Sequence, residues 1–314
     1  MKEPKVFQRL KVRQKNAGHP RKRKRLKYIA ILPSLVTLMN GLCGFIAIIL
    51  ASRGMGTAWN PPLFPHISIS FLALASYMIC LGMIADVLDG HVARISKSTS
   101  SFGAQLDSLC DVITFGIAPA FLMLKLVGVY APQFQFANGH FNIIFERAVT
   151  LIAIVYAMCA VIRLARFNVE NNEENESAHM GFAGLPSPAA AGMIVSMVVF
   201  QQDFLPKIAG WAGEFLGAIE LAIFWILPIV TLMAGLLMVS RIPYPHIMNR
   251  LLRGKKRFST FLLVVFALLL TILNIQLAMV IGFTGFVFYG IIRWLVQCSR
   301  KSSHGSAESQ RLED

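Results

Sequence analysis

Charged residues are scarce in this 314-residue chain. They make up 15% of the sequence, whereas hydrophobic residues make up 55%, and the mean hydropathy is +0.60. Soluble globular proteins have about 25% charged residues. The shortage of charge argues against a soluble enzyme and a disordered chain. It predicts an integral membrane protein with little soluble mass.

The sequence also lacks paired cysteines and clustered histidines. Its five cysteines lie within apolar runs or at the end of one, and none forms a CxxC pair. The seven histidines are dispersed along the chain without the spacing of metal ligands. This usage predicts reduced, packed thiols and excludes a disulfide scaffold or a zinc site.

Long apolar runs fill most of the remaining chain. About 20 helical residues cross about 30 Å of hydrocarbon. We therefore predict an all-α integral membrane protein with about eight transmembrane helices, the last two joined by a tight turn at Asn274–Gln276. The predicted spans are 30–52, 68–92, 104–128, 147–167, 187–205, 217–239, 259–275 and 277–296.

The basic residues predict the orientation of these spans. With eight spans, 26 of the 30 Lys and Arg residues fall on the side of both termini, and 12 of them lie in residues 1–29. We therefore predict a multi-pass protein of the inner (cytoplasmic) membrane. The positive-inside rule predicts that both of its termini are in the cytoplasm. We expect the basic arm to contact anionic lipids rather than nucleic acid, which is the alternative. The polar residues after 298 predict a disordered tail.

The acidic residues that remain are grouped where the second predicted span meets the third. The pattern is Asp86-x2-Asp89-Gly90-x2-Ala93-Arg94-x8-Gly103-x3-Asp107-x3-Asp111. Spacings of three and four place each pair of carboxylates on one helix face. Two helices of a hairpin would therefore direct four carboxylates towards one another.

Four carboxylates at a bilayer boundary require a compensating cation. Interhelical salt bridges are the alternative, but Arg94 and Lys97 are too few to balance four acids. All-oxygen sites suit Mg²⁺, Mn²⁺ or Ca²⁺, and two divalent ions would neutralise the group. Gly90 and Gly103 leave room for a bulky ligand beside the carboxylates, and Arg94 offers a cation for a phosphate.

This motif resembles the signature of the CDP-alcohol phosphatidyltransferase family. The resemblance implies transfer of a phosphatidyl group from CDP-diacylglycerol to an alcohol, with release of CMP, and a homodimer. It also implies a six-helix catalytic core, to which this chain adds two helices. The corresponding division is an arm at 1–29, a core at 30–240, a basic loop at 241–258, two additional helices at 259–296 and a polar tail at 297–314.

The resemblance also implies roles for individual residues. Asp86, Asp89 and Asp107 bind metal, and Asp111 both joins the second metal site and accepts the proton of the attacking hydroxyl. The cofactor is Mg²⁺ or Mn²⁺, with two ions expected. The implied contacts to the CDP-lipid are Gly90, Arg94, Gly103 and, less firmly fixed in the family, Ser100.

A second segment extends this resemblance. Residues 32–40 read Leu-Pro-Ser-Leu-Val-Thr-Leu-Met-Asn and are similar to the family's Pro-Asn-x-x-Thr segment near the nucleotide. Thr37 keeps the family residue, whereas Ser34 replaces its usual Asn. A helix start with Pro in its first turn and a Ser cap explains the same residues and is compatible with this role.

The acceptor alcohol is predicted from two further stretches. Arg163-Leu-Ala-Arg166 and Gly184-Leu-Pro-Ser-Pro188 resemble the branch of the family that uses L-serine, as do the opening of the first span and the stretch Asn40-Gly-Leu-Cys-Gly44. A carboxylate on the acceptor needs a cation, and Arg163 or Arg166 could bind it in a bidentate manner. Both arginines could instead serve lipid phosphates. Glycerol 3-phosphate or another alcohol is the alternative acceptor, and an ion-coupled transporter is the alternative from a different class.

Overall fold

The protein is a bundle of helices. The computed structural model describes residues 20–53, 58–59, 69–96, 101–131, 139–172, 184–212, 215–242, 244 and 270–313. The helices are α1 Pro20–Arg53, α2 Phe71–Ser96, α3 Ser101–Asp111, α4 Ala118–Tyr130, α5 Gly139–Asn172, α6 Ser187–Val199, α7 Leu205–Ala212, α8 Phe215–Val239 and α9 Ile275–Glu313. Two π-helical segments, Val112–Ile117 and Phe200–Phe204, join α3 to α4 and α6 to α7. Strands β1 Ala58–Trp59 and β2 Ile69–Ser70 form a two-residue antiparallel ladder between α1 and α2.

Seven stretches in the described part of the chain are long and apolar enough to cross a membrane. They are Ser34–Arg53, Phe71–His91, Phe102–Tyr130, His140–Val169, Ser187–Ile208, Phe215–Val239 and Ile275–Val296. Each corresponds to a span predicted from the sequence, so the prediction of an all-α membrane protein is confirmed. The other predicted span, 259–275, lies mostly outside the described residues. Asn274 separates the helical residues 270–273 from the start of α9.

Two helices are longer than their apolar segments. α1 begins at Pro20, so it includes the end of the basic arm, and proline is favoured in the first turn of a helix. α9 continues to Glu313, and the prediction of a disordered tail was therefore wrong. A helix that is already formed adds residues without a new nucleation step, and this tail contains helix formers such as Lys301, Ala307 and Glu308.

The core lies around α6. In its span 61% of the apolar window is buried within the bundle, compared with 11% for α9. α1 packs mainly against α2, and α5 packs mainly against α8. α9 reaches the bundle by placing the Phe283 ring on Gly192 of α6, where a Cβ would lie 2.2 Å from the ring. α6 is thus the most central helix of the bundle among the described spans, and α9 lies at its edge.

Glycines bring the first two helices against the π segment after α3. A Cβ on Gly44 of α1 would lie 2.5 Å from Thr114 Oγ1, and a Cβ on Gly82 of α2 would lie 2.6 Å from Thr114 Cγ2. Small residues allow such close approach between helices in membranes. Three parts of the chain therefore meet at Thr114, one turn from the carboxylates of α3.

The π segment itself has a local cause. Pro119 has no N–H, so the carbonyl of Phe115 cannot receive the usual helical bond from that position. The hydroxyl of Tyr156 on α5 donates to the Phe115 carbonyl instead, at 2.9 Å, and Tyr156 is fully buried. The widened turn is thus held by a side chain from a neighbouring helix.

Candidate metal and substrate site

Three carboxylates converge between α2 and α3. Asp86 lies near the end of α2, and Asp107 and Asp111 lie one turn apart on α3. One carboxylate oxygen of each lies within 4.8 Å of the others. Asp111 is buried, whereas Asp86 and Asp107 are half-buried. The helix hairpin predicted from the spacing therefore brings together three of the four predicted ligands.

Asp89 lies one turn beyond Asp86 and is not part of this trio. Its carboxylate is buried and accepts a hydrogen bond from the Thr37 hydroxyl of α1. It is near enough to Asp86 and Asp107 to interact with their charges. In the structure Thr37, which we predicted to contact the nucleotide, orients a predicted metal ligand.

Asn40 is a site residue for which the sequence analysis predicted no chemical role. Its amide Nδ2 donates to Asp111 Oδ1 at 2.8 Å, and its backbone carbonyl accepts a bond from the Thr114 hydroxyl at 2.9 Å. Asn40 is completely buried, and its Oδ1 has no hydrogen-bond partner among the described residues. A buried amide inside an apolar span was the available signal, because such a group needs a hydrogen-bonding partner.

The charges of these acids are not balanced by the described side chains. None of the four carboxylates forms a salt bridge within the part of the chain that the structure describes. Uncompensated charges are costly at a membrane boundary. Three convergent carboxylate oxygens without nitrogen or sulfur ligands match the preferences of Mg²⁺, Mn²⁺ and Ca²⁺. The residues therefore fit a divalent-cation site.

Arg163 of α5 lies near Asp111. Its Nη1 donates to Ser187 Oγ at 2.8 Å, and Ser187 is the first residue of α6. Its Nε is buried and has no hydrogen-bond partner in the part of the chain that the structure describes. The guanidinium is near enough to Asp111 for their charges to interact. The guanidinium is thus held at one end and has a donor left for a ligand.

The other predicted substrate residues are distributed around this centre. Ser34 is half-buried one turn before Thr37 on α1, Gly90 is exposed near the end of α2, and Gly103 is half-buried in the first turn of α3. Arg166 is half-buried, one turn beyond Arg163. The side chain of Arg94 and the whole of Ser100 lie outside the described residues.

A further contact fixes α5 beside the carboxylate helix. Ser108 of α3 donates to Asn168 Oδ1 of α5 at 3.0 Å. It lies next to Asp107 in sequence, and Asn168 follows Arg163 by five residues and Arg166 by two on α5. The carboxylates and the arginines are therefore carried by helices that are joined at the same end of the bundle.

Known proteins resemble this chain over most of its length. Residues 30–230 match the family model described as CDP-alcohol phosphatidyltransferase. A protein from Helicobacter pylori, named CDP-diacylglycerol–serine O-phosphatidyltransferase, is 31% identical over 84% of this chain and 91% of its own. Proteins of the same name from Methanocaldococcus jannaschii and Saccharomyces cerevisiae are 29% and 33% identical, over 86% and 52% of this chain and 97% and 51% of their own. Together with the carboxylate hairpin, these matches lead to one conclusion: the chain belongs to the CDP-alcohol phosphatidyltransferase family.

Proposed function

We propose that this protein is a phosphatidylserine synthase. It transfers the phosphatidyl group of CDP-diacylglycerol to the hydroxyl of L-serine. A bond forms between the serine oxygen and the phosphorus that carries the diacylglycerol, and the bond from that phosphorus to the bridging oxygen breaks. CMP leaves with the electron pair, and the proton of the serine hydroxyl passes to a carboxylate of the enzyme.

The observation that carries this proposal is the convergence of Asp86, Asp107 and Asp111, which form no salt bridge with the side chains that the structure describes. A diphosphate substrate brings more negative charge to the same place, so the site requires divalent cations. We assign Asp86, Asp89, Asp107 and Asp111 as their ligands, with Mg²⁺ or Mn²⁺ as the ion and two ions per site. When bound, these ions neutralise the diphosphate and stabilise the leaving phosphate of CMP.

We assign Asp111 as the proton acceptor. The Asn40 amide at 2.8 Å fixes the orientation of this carboxylate, because Asn40 is itself held through Thr114. Burial keeps competing water away from it. A general base must have a defined position relative to the attacking hydroxyl, and this pair of contacts supplies one.

The CDP-lipid is held, in this proposal, by the residues around the opening of the hairpin. Gly90 and Gly103 leave the space for the diphosphate and nucleotide, and Arg94 and Ser100 supply polar contacts to it. Ser34 and Thr37 lie on the α1 side of the carboxylates. Thr37 has a double role, since its hydroxyl also donates to Asp89.

Serine is the acceptor because the site offers a cation for its carboxylate. Arg163 fits this role better than Arg166. Its guanidinium is tethered to Ser187 and interacts with the charge of Asp111, and its buried Nε has no hydrogen-bond partner among the residues that the structure describes. A charged, bidentate group so close to the base would place the serine hydroxyl beside the acceptor of its proton.

We also propose a location and an assembly. The aspartate end of the bundle and both termini face the cytoplasm of the cell, in the inner membrane, and the basic arm contacts anionic lipids. The protein forms homodimers. Reporter fusions at the two termini test the orientation, and the mass of the detergent-solubilised protein tests the dimer. A periplasmic C-terminus or a monomer would contradict the respective statement.

The decisive experiment supplies purified protein with CDP-diacylglycerol, Mg²⁺ or Mn²⁺ and a panel of isotopically labelled alcohols. We expect labelled phosphatidylserine and CMP in equal amounts when serine is present. The lipid products are identified by mass. Phosphatidylglycerophosphate formed from glycerol 3-phosphate, with no product from serine, would contradict the proposed acceptor.

A further inference from the structure

An apolar cavity lies beside the carboxylates, between the catalytic core and α9. Its volume is about 770 Å³, within the range of roughly 300–1,000 Å³ that is usual for ligand sites. Of the thirteen described residues that line it, only Asp86 and Thr271 have polar side chains. The cavity therefore suits an apolar ligand with a polar group at one end.

Asp86 belongs to both sites. One of its carboxylate oxygens is part of the convergent trio, and the residue also lines the cavity together with Met83 and Val87 of the same helix. A lipid whose diphosphate binds at the trio has its acyl chains attached only a few bonds away. The cavity is thus placed where one of those chains must begin.

The cavity extends away from the carboxylates along α9. Gln276 and Tyr77 both donate to Asp203, so the start of α9 lies level with Tyr77, nine residues before Asp86 on α2. At 1.5 Å per residue this is about 14 Å along the helix axis. The lining residues of α9 run from Ile275 to Phe286 and so follow the cavity over this depth.

The walls of the cavity are held in place by packing. Phe283, which lines the cavity, rests on Gly192 of α6 so closely that a Cβ there would overlap its ring. Pro186 and Pro188, at the start of α6, also line the cavity. α9 is therefore a fixed part of the cavity, although little of the helix is buried.

We propose that this cavity binds one acyl chain of the CDP-activated lipid substrate, and that the helix added after the six-helix core thereby contributes to substrate selection. The proposal rests on the proposed use of CDP-diacylglycerol. The chain enters beside Asp86 while the diphosphate is held at the trio, so the cavity selects for the presence and length of an acyl chain and not for the alcohol.

Gly282 and Gly285 provide a matched pair of variants. A Cβ on either glycine would meet nothing within 4 Å, but only Gly282 is among the residues that line the cavity. Gly282→Leu puts a side chain into the cavity. Gly285→Leu makes the same change in helix propensity three residues away.

The experiment measures kcat/KM for two CDP-lipids, one with eighteen-carbon and one with four-carbon acyl chains, in detergent micelles with saturating serine. For Gly282→Leu we expect a loss of about tenfold or more with the long-chain lipid, as is usual for steric discrimination in an apolar pocket. With the short-chain lipid the change should stay within about twofold. Gly285→Leu should match the wild type with both lipids.

Equal losses with the two lipids, or equal effects of the two variants, would overturn the proposal and indicate that the cavity holds a resident lipid or none. A wild-type protein that makes no phosphatidylserine from either lipid would contradict the proposed function instead. In that case, native mass spectrometry of the long-chain CDP-lipid retained by each glycine variant decides the cavity by itself. Retention by Gly285→Leu but not by Gly282→Leu supports it.

Discussion

Carboxylates lie at both ends of this bundle, and the two groups differ in their hydrogen-bond and salt-bridge partners. At the far end, Asp203 accepts hydrogen bonds from Tyr77 at 2.6 Å and Gln276 at 2.8 Å, and it pairs with Lys207 at 2.9 Å. At the near end, Asp86, Asp107 and Asp111 converge without a described salt bridge. The same residue type is satisfied by the protein in one place and left for a ligand in the other.

This difference separates a structural acid from a functional one. An acid in the middle of an apolar helix costs about 2.5–3.5 kcal/mol on insertion scales, so it needs either internal partners or a bound cation. The contacts of Asp203 join α2, the π segment after α6, and α9, and its removal should affect folding. The trio repels itself without metal, and its disruption should affect turnover while relieving that repulsion.

The largest effect is expected from loss of the trio. Asp86→Asn or Asp107→Asn should reduce phosphatidylserine synthesis by at least about 10³-fold, because each removes a ligand charge from a site that must hold divalent ions. EDTA should have the same effect on the wild type, with recovery on addition of Mg²⁺ or Mn²⁺.

Thermal unfolding in EDTA is the control for these variants. Asp107→Asn should unfold at a higher temperature than the wild type, because one of the repelling charges is gone. Full turnover in EDTA, or a variant that loses activity only because it is unfolded, would remove the distinction between the two ends of the bundle.

A smaller loss is expected at the proton acceptor. Asp111→Asn should reduce kcat by roughly 10²–10⁴-fold, the usual range for general acid–base catalysis. The Asp111→Asn variant should retain more of its CDP-lipid binding than Asp107→Asn does, because we expect Asp107 to be a ligand of both metal ions. Equilibrium binding and kcat are measured on the same preparations. Near-native kcat would mean that the proton leaves by another route.

The next effect concerns serine alone. Arg163→Ala should raise the KM for serine by roughly 10- to 150-fold, which corresponds to a lost charge-assisted hydrogen bond of about 1.5–3 kcal/mol. The KM for CDP-diacylglycerol should change much less. Serinol, which lacks the carboxylate, should be a poor acceptor for the wild type and should lose little further activity in the variant.

Arg166→Ala and substitutions at two serines sharpen this test. Arg166→Ala should have a weaker effect on the KM for serine than Arg163→Ala. Ser187→Ala should raise that KM by a few-fold, since a typical hydrogen bond contributes about 0.5–1.5 kcal/mol, whereas Ser187→Thr should restore it. Ser196→Ala is the control, because Ser196 lies on the same helix and its one hydrogen bond among the described residues is to the Met193 carbonyl. Equal losses for serine and serinol would assign Arg163 to the lipid phosphate or to the fold.

The smallest effect on turnover is expected at the far end. Asp203→Ala leaves the partly buried donors of Tyr77 and Gln276 without their acceptor, so the free energy of unfolding should fall by about 1–3 kcal/mol. Phosphatidylserine synthesis below the unfolding transition should stay within about twofold of the wild type. Thermal unfolding and initial rates are measured in one detergent. A variant as inactive as Asp86→Asn but equally stable would show that the far end also serves catalysis.

Much of the near end could be predicted from the sequence. The spacing of Asp86, Asp107 and Asp111 was sufficient to place them on facing helix surfaces, because a helix repeats every 3.6 residues. The spans followed from apolar runs of sufficient length. Those signals depend only on residues that are close in sequence, so they do not require the contacts between distant parts of the chain.

The remaining features depend on contacts between distant parts of the chain. Asn40 and Thr37 are recognisable as polar residues in an apolar span, but their bonds to Asp111 and Asp89 connect residues 71 and 52 positions apart. The helical tail after 298 was mispredicted because composition alone ignores the spanning helix that it continues. The cavity beside Asp86 requires α9 to return to α2, and no periodicity specifies that.

The widened turn between α3 and α4 has a consequence for the evolution of this site. A π-helical turn is equivalent to an α-helix that has gained one residue, and one residue corresponds to about 100° of rotation. Asp111 is the last residue before this turn, and the side that α4 packs into the core comes after it. The side of α3 that carries the carboxylates and the side of α4 that packs into the core are therefore offset by one residue. Deleting one residue from Val112–Ile117 would bring them into phase and swing the carboxylates away from α2, so turnover would be lost while the apolar sequence still crossed the membrane.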